Sequence, residues 1–299
     1  MKTSLRVVLP ADFDLDWALG FLAARTVPSL EELRDGEYRR SLRVDGAPVV
    51  LSLRTVRQRG SAAFEVTTAP ELPPAQARRI AIRMFDLDAD LASFHAMAAE
   101  DPILRDLVER RPGIRLPQLI DSFEGICRAI LGQQVSVTAA STMVDRLARL
   151  LGEPAPSLDD SRFLTFPRPD ALASAGPDAL AKTGLTRAKA AALHGVAAAA
   201  ADGRLDFRRL RSGTAEESHA ALVALPGVGP WTASYVRMRT LGDRDAFPAS
   251  DLGVIKALRA LLPQGDRLTV PEIVTLGESW RPWRAYATLH LWNSLSHRE

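Results

Sequence analysis

Cysteine is almost absent: Cys127 is the only one in 299 residues. One thiol cannot make a disulfide within the chain, a cysteine-based zinc site or a four-cysteine iron–sulfur cluster. Histidine is sparse too, and His95, His194, His219, His290 and His297 fall at no metal-ligand spacing. Lysine occurs only at Lys2, Lys182, Lys189 and Lys256, so arginine carries the basic charge, and the formal net charge is only +2. That balance gives weak support to a polyanionic partner. No apolar run reaches the twenty residues of a membrane span, and Met1 to Pro10 is too short and polar for a signal peptide. A cytoplasmic protein with no membrane partner is expected. Aromatic residues make up only 6%, yet Trp231, Tyr235, Trp280, Trp283, Tyr286 and Trp292 cluster in the last third.

What is present suits a soluble chain of two or three domains, with 46% apolar and 25% charged residues. Asp16 to Arg25 has a helical pattern. Tyr38 to Val44 and Pro48 to Val56 are β-prone runs around the hairpin signal Asp45-Gly46, and Ser61 to Thr68 reads as a third strand. Pro73-Pro74 opens a helix to Met84. From about Leu91 strand signals nearly vanish. Helical patterns follow at Ser122 to Leu131, Ser136 to Leu150, Ala188 to Ala201, Ser218 to Ala224, Trp231 to Thr240, Leu252 to Leu262, Pro271 to Glu278 and Pro282 to Ser296. The fold class is α+β: a small antiparallel-sheet domain, then an all-helical body.

The most informative segment is Leu225-Pro226-Gly227-Val228-Gly229-Pro230-Trp231. Two glycines one residue apart between helices make a tight hairpin. Its backbone N–H groups, with the positive end of the second helix, can hold a phosphate. A Pro-Gly-x-Gly string alone is more often a plain turn, but helical segments on both sides and Pro230 at a first helical position favour the clamp. Asp251 lies twenty residues beyond Trp231. It stands where a residue caps the following helix, which is the commoner role. If the two helices pack side by side, the same carboxylate points into a cleft beside a bound nucleic-acid backbone, where a helix N-terminus favours negative charge. Trp231 and Tyr235, at i and i+4, share a helix face. Trp280, Trp283 and Tyr286 read as core.

These residues resemble the helix-hairpin-helix DNA glycosylases, closest to the AlkA-type, 3-methyladenine glycosylase II branch. Phe21-Leu22-Ala23-Ala24-Arg25, Arg111-Pro112-Gly113-Ile114-Arg115-Leu116-Pro117, Ala129-Ile130-Leu131-Gly132-Gln133, the hairpin through Tyr235, and Trp280-Arg281-Pro282-Trp283-Arg284-Ala285-Tyr286-Ala287 carry the likeness in the family's order. The resemblance implies a mixed sheet domain over residues 1–97 and two helical lobes flanking a DNA cleft. One lobe comprises 98–121 plus 244–299 and carries the catalytic aspartate; the other, 122–243, ends in the helix-hairpin-helix. It implies Asp251 as the catalytic residue and Trp231, Tyr235 and Trp292 as the lining of the base pocket. Gly227, Gly229 and Thr232 fall at the DNA phosphate. The carbonyls of Val223, Leu225 and Val228 fall where the family holds a monovalent cation, Na+ or K+; no other cofactor is required.

The implied partner is double-stranded DNA with alkylated bases, and the implied reaction is hydrolytic base excision after base flipping, by a monomer. Electron-rich rings attract a cationic methylpurine by about 0.5–2 kcal/mol. Trp231 stands where strand-cutting relatives place a Schiff-base lysine, which implies a monofunctional enzyme. Gln134 stands where the AlkA type has an apolar wedge for the gap left by the flipped base, and Ser250 replaces a second acidic residue. Two other readings are a non-catalytic helix-hairpin-helix DNA-binding protein and a glycosylase for deaminated or oxidised bases.

Overall fold

The computed structural model describes residues 5–58, 60–158, 162–263 and 267–295. The N-terminal region is a five-stranded antiparallel sheet in the order β1-β5-β4-β3-β2. Its strands are β1 Leu5–Val8, β2 Glu31–Arg34, β3 Glu37–Val44, β4 Ala47–Gln58 and β5 Ser61–Ala69. The three long strands are those the sequence predicts. The two short edge strands have no clear signal, because four residues give only two periods of alternation and β2 is three-quarters charged. Helix α1, Leu15–Ala23, and α2, Pro74–Met84, cover one face, where Val7, Leu42, Leu53, Phe64, Val66, Ile80 and Phe85 form the core.

The helical body begins with α3 Ala92–Glu100, α4 Arg105–Arg110, α5 Ser122–Leu131 and α6 Val137–Leu151. It continues with α7 Pro169–Ala181, α8 Arg187–Ala201, α9 Phe207–Ser212, α10 Ala215–Val223 and α11 Pro230–Val236. It closes with α12 Leu252–Leu261, α13 Val270–Gly277 and α14 Arg284–Leu295. The helix read from Trp231 to Thr240 is α11 followed by a π-helical turn, Arg237–Leu241. Ser296, read as the end of α14, lies outside the described residues.

Two hydrophobic cores hold this body. One joins Phe123, Ile126 and Ile130 of α5, Leu193 and Val196 of α8, Leu222 of α10, and Ala233 and Val236 of α11. The other joins Phe94, Leu104 and Ile114 to Val254, Trp280, Tyr286 and Leu289. Phe94 of α3 belongs to the second core, with Ala89 and Leu91, whereas Leu87 and Ile120 pack with the sheet. Met238, just past α11, enters the second core, so the hairpin's second helix bridges both lobes.

A buried ion network ties the sheet to the helical body. Arg40 donates to both oxygens of Glu124 at 2.8 and 2.7 Å, and Arg128 donates to Glu31 at 2.7 Å. Burial by itself pushes the Glu31 carboxyl up, but Arg128 and Arg40 outweigh it and hold it below the usual carboxylate range. Such a network adds little net stability, yet breaking one member strands a buried charge.

Candidate base-excision site

The hairpin forms as its sequence predicts. Gly227 has φ +74°, and a Cβ there would meet the Ala192 Cβ of α8 at 2.3 Å, so both backbone conformation and packing require glycine. Gly229 differs. It caps α11 at φ −87°, with open space where a Cβ would stand and no side chain bonding the first N–H groups. The fold does not need glycine at 229, and the N-terminus of α11 stands bare there. The Leu225 carbonyl accepts the Val228 N–H at 3.1 Å, and the Val228 side chain is buried.

Thr232 is only 2% exposed, and its hydroxyl accepts from Gln133 Nε2 at 2.9 Å. Its hydroxyl therefore faces inward, and any phosphate contact at this position falls to the main-chain N–H. The same Gln133 amide donates to the Gly227 carbonyl at 2.9 Å, and Lys189 Nζ donates to the carbonyls of Leu131 and Gln133 at 2.7 and 2.9 Å. The Gln133 bonds lash the α5–α6 loop to the hairpin, and Lys189 ties the same loop to α8. Gln134, at the loop's exposed tip, has φ +55°, with exposed Val135 and Val137 beside it. The sequence gives Gln134 a role and Gln133 only a place in a family segment, because the partners of Gln133 lie 94 and 99 residues away.

Asp251 caps α12, its Oδ1 accepting the N–H groups of Gly253 and Val254 at 2.8 and 3.1 Å. Two further donors come from elsewhere in the chain. Trp292 Nε1 of α14 donates to Oδ1 at 2.8 Å, and Trp231 Nε1 of α11 donates to Oδ2 at 2.9 Å. Two of the three pocket aromatics named from sequence thus converge on the carboxylate named from sequence. Oδ1, with three donors, is saturated; Oδ2, with one, keeps acceptor capacity. Gly253 permits this closure, since a Cβ there would stand 2.8 Å from Trp292 Cδ1. Sequence reading missed it.

Tyr235 stacks on Trp231 with centroids 5.3 Å apart and rings inclined 28°, and lies 6.2 Å from the Trp292 ring. All three rings are half-buried. Trp280, Trp283 and Tyr286 are buried in the second core, as expected. Their polar atoms are used internally: Trp280 Nε1 bonds Asp101 at 2.8 Å and Trp283 Nε1 bonds Ser93 at 3.1 Å.

A two-lobed helical body with a glycine hairpin on one side and a capped aspartate on the other defines a class, and comparison with known proteins agrees. Residues 4–121 match the AlkA N-terminal domain, and residues 127–282 match the HhH-GPD superfamily base excision DNA repair protein model. The chain belongs to the HhH-GPD superfamily of base excision DNA repair proteins, with an AlkA N-terminal domain ahead. It is 36% identical to DNA-3-methyladenine glycosylase 2 of Escherichia coli, over 94% of this chain and 93% of that protein. It is 40% identical, over 98% of its length, to the probable bifunctional transcriptional activator/DNA repair enzyme AlkA of Mycobacterium tuberculosis. The chain spans 57% of that longer relative. The solved 3-methyladenine DNA glycosylase of Archaeoglobus fulgidus shares the fold, with a TM-score of 0.85 and 24% identity, over 98% of this chain and 99% of that one.

Proposed function

We propose that this protein flips an alkylated base out of duplex DNA and hydrolyses its glycosidic bond, leaving an abasic site for base excision repair. The observation that carries this reading is the Asp251 carboxylate, pinned by two backbone and two indole N–H groups beside three aromatic rings. A plain helix cap needs no indole donors, and a DNA-binding hairpin needs no carboxylate.

In this mechanism the Gly227–Gly229 turn and the first N–H groups of α11 hold a phosphate and fix the strand's register. Val223 ends α10, where carbonyls concentrate negative charge. Its carbonyl, with those of Leu225 and Val228, would hold a Na+ or K+ that neutralises part of the phosphate charge. The exposed Gln134 enters the gap left by the flipped base and can hydrogen-bond the orphaned partner. Trp231, Tyr235 and Trp292 take the base, favouring a cationic methylpurine such as 3-methyladenine or 7-methylguanine. As the C1′–N bond breaks, its electron pair leaves with the base, and Asp251 Oδ2 stabilises the oxocarbenium-like sugar. Water then bonds C1′ and loses a proton to solvent. With Trp231 where a Schiff-base lysine would stand, the strand stays intact. The enzyme works as a cytoplasmic monomer on one lesion at a time; among the described residues no helix is long and apolar enough to cross a membrane.

The test is chromatography of free bases released from methylated duplex DNA. Release of methylated purines, with strands uncut until alkali is added, is expected. Tight DNA binding without base release would sink the reading.

A further inference from the structure

Among the described residues the non-glycine positions with φ in the left-handed region are Asp35, Asp45, Asp86 and Gln134. Aspartate tolerates that region through its short polar side chain; glutamine, at φ +55°, is the exception. The Gln134 side chain is exposed and forms no hydrogen bond among the described residues. The main chain on either side is fixed. Gln133 gives its backbone N–H to the Ile130 carbonyl at 3.3 Å and its amide to Gly227 and Thr232, and its own carbonyl accepts Lys189 Nζ at 2.9 Å. Two residues on, the Ser136 hydroxyl caps α6, accepting the Ala139 N–H at 3.2 Å. A strained backbone with pinned flanks and a free side chain marks a place where strain serves a ligand.

Lys189 stands in the first turn of α8, between the cap Thr186 and Ala192. Ala192 is the residue that packs against Gly227, so one face of α8 meets both the α5–α6 loop and the hairpin. The Lys189 ammonium has no carboxylate partner among the described residues, and partial burial lowers its pKa from the usual lysine value. Its hydrogen bonds go to main-chain carbonyls. Capping the end of α5 accounts for the bond to Leu131. The bond to Gln133 lies beyond that helix and holds the peptide that precedes Gln134.

We propose that Lys189 is a positioning residue, which presets the Gln133–Gln134 peptide so that the Gln134 side chain stands ready for the gap in a duplex from which a base has been flipped. This rests on the base-excision reading, in which Gln134 fills that gap. A finger on a loose loop loses main-chain freedom when DNA binds. On a loop already fixed by Lys189 it loses less, and the difference appears as affinity. The gap exists only where a base has left the stack, so the gain belongs to damaged duplex and not to intact duplex. A lysine that merely met a phosphate would strengthen both alike.

The experiment is gel-shift titration of a duplex carrying one tetrahydrofuran abasic-site analogue and of the same duplex intact. The proteins are wild type, Lys189→Met, Lys189→Arg, Gln134→Ala and the double variant Lys189→Met with Gln134→Ala. Wild type is expected to bind the abasic duplex more tightly. Lys189→Met should lose about tenfold on the abasic duplex, the scale of a hydrogen bond from a charged donor, and less than about twofold on the intact one. Lys189→Arg, which keeps the charge and the donors, should recover most of the loss. The double variant should bind the abasic duplex no more weakly than Gln134→Ala, because both changes disable one device. Equal losses on both duplexes, losses that add in the double variant, or an unchanged Lys189→Met would each overturn the proposal. So would a wild type that binds the two duplexes alike. Failure to free any base from methylated duplex is a different result, which overturns the excision reading itself.

Discussion

Helices α5 and α12 begin in the same way, with an aspartate cap, and end in different roles. Asp121 accepts the N–H groups of Phe123 and Glu124 at 3.0 and 3.1 Å; Asp251 accepts those of Gly253 and Val254 at 2.8 and 3.1 Å. Local geometry does not tell them apart. Their surroundings do. Asp121 sits against the interdomain ion network, where desolvation first and the like charge of Glu124 second push its carboxyl up to about 6. Asp251 faces the meeting of the two lobes and gains two indole donors, one from each. A cap becomes a candidate catalytic group when tertiary packing supplies the donors that orient its carboxylate.

The comparison breaks most sharply by exchanging each carboxylate for its amide, which caps a helix as well. Asp251→Asn is expected to lower base release by about a thousandfold, the scale of losing the principal electrostatic stabiliser of a transition state. Duplex affinity in a gel-shift titration should stay within about threefold. Asp121→Asn should leave excision near wild type. A comparable loss of release in both variants would mean that Asp251 is only a cap.

A smaller change asks whether the indole donors matter as donors. Trp231→Phe and Trp292→Phe each keep an aromatic ring and remove one N–H to Asp251. Each should lower kcat about tenfold, since a hydrogen bond to a charged group is worth roughly 1.5–3 kcal/mol, while KM changes little. A rise in KM with kcat held would show that the rings matter only as a surface for the base.

Gln133→Ala cuts both ties from the α5–α6 loop to the hairpin. We expect duplex binding to weaken by about five- to tenfold, in line with roughly 1 kcal/mol per hydrogen bond, with single-turnover excision at saturating enzyme much less affected. An equal fall in the saturated rate would place Gln133 in the chemistry.

The smallest effect concerns stability. A carboxyl whose folded pKa is raised binds its proton more tightly in the native state, so its contribution is present at low pH and lost as pH rises through about 6. Asp121→Asn removes that loss. The variant should melt slightly higher than wild type at pH 7.5, with the difference vanishing toward pH 4. A variant that melts lower at both pH values would show that Arg40, not Glu124, dominates the charge at Asp121.

Much of the site was legible in the chain because its parts are local. Gly227 and Gly229 announce the turn, Pro230 the helix start, and Asp251 the cap, each within a few residues of what it serves. The long strands and most helices were legible for the same reason, since periodicity over eight or more residues survives any context. The short strands β1 and β2 were not, because their state is imposed by neighbours. Nor were Gln133, which works through carbonyl and hydroxyl partners far along the chain, or Gly253, whose reason is the Trp292 ring pressed against it.

By itself the sequence determined which segments turn, which coil and which aspartate could cap a helix, because those depend on backbone freedom and on neighbours a few residues apart. Tertiary structure alone decided that Trp231 and Trp292 give their N–H groups to Asp251, and that Gln133 ties its loop to the hairpin. A side chain's chemistry is fixed by its type. Which donors, charges and surfaces it meets depends on how distant segments pack.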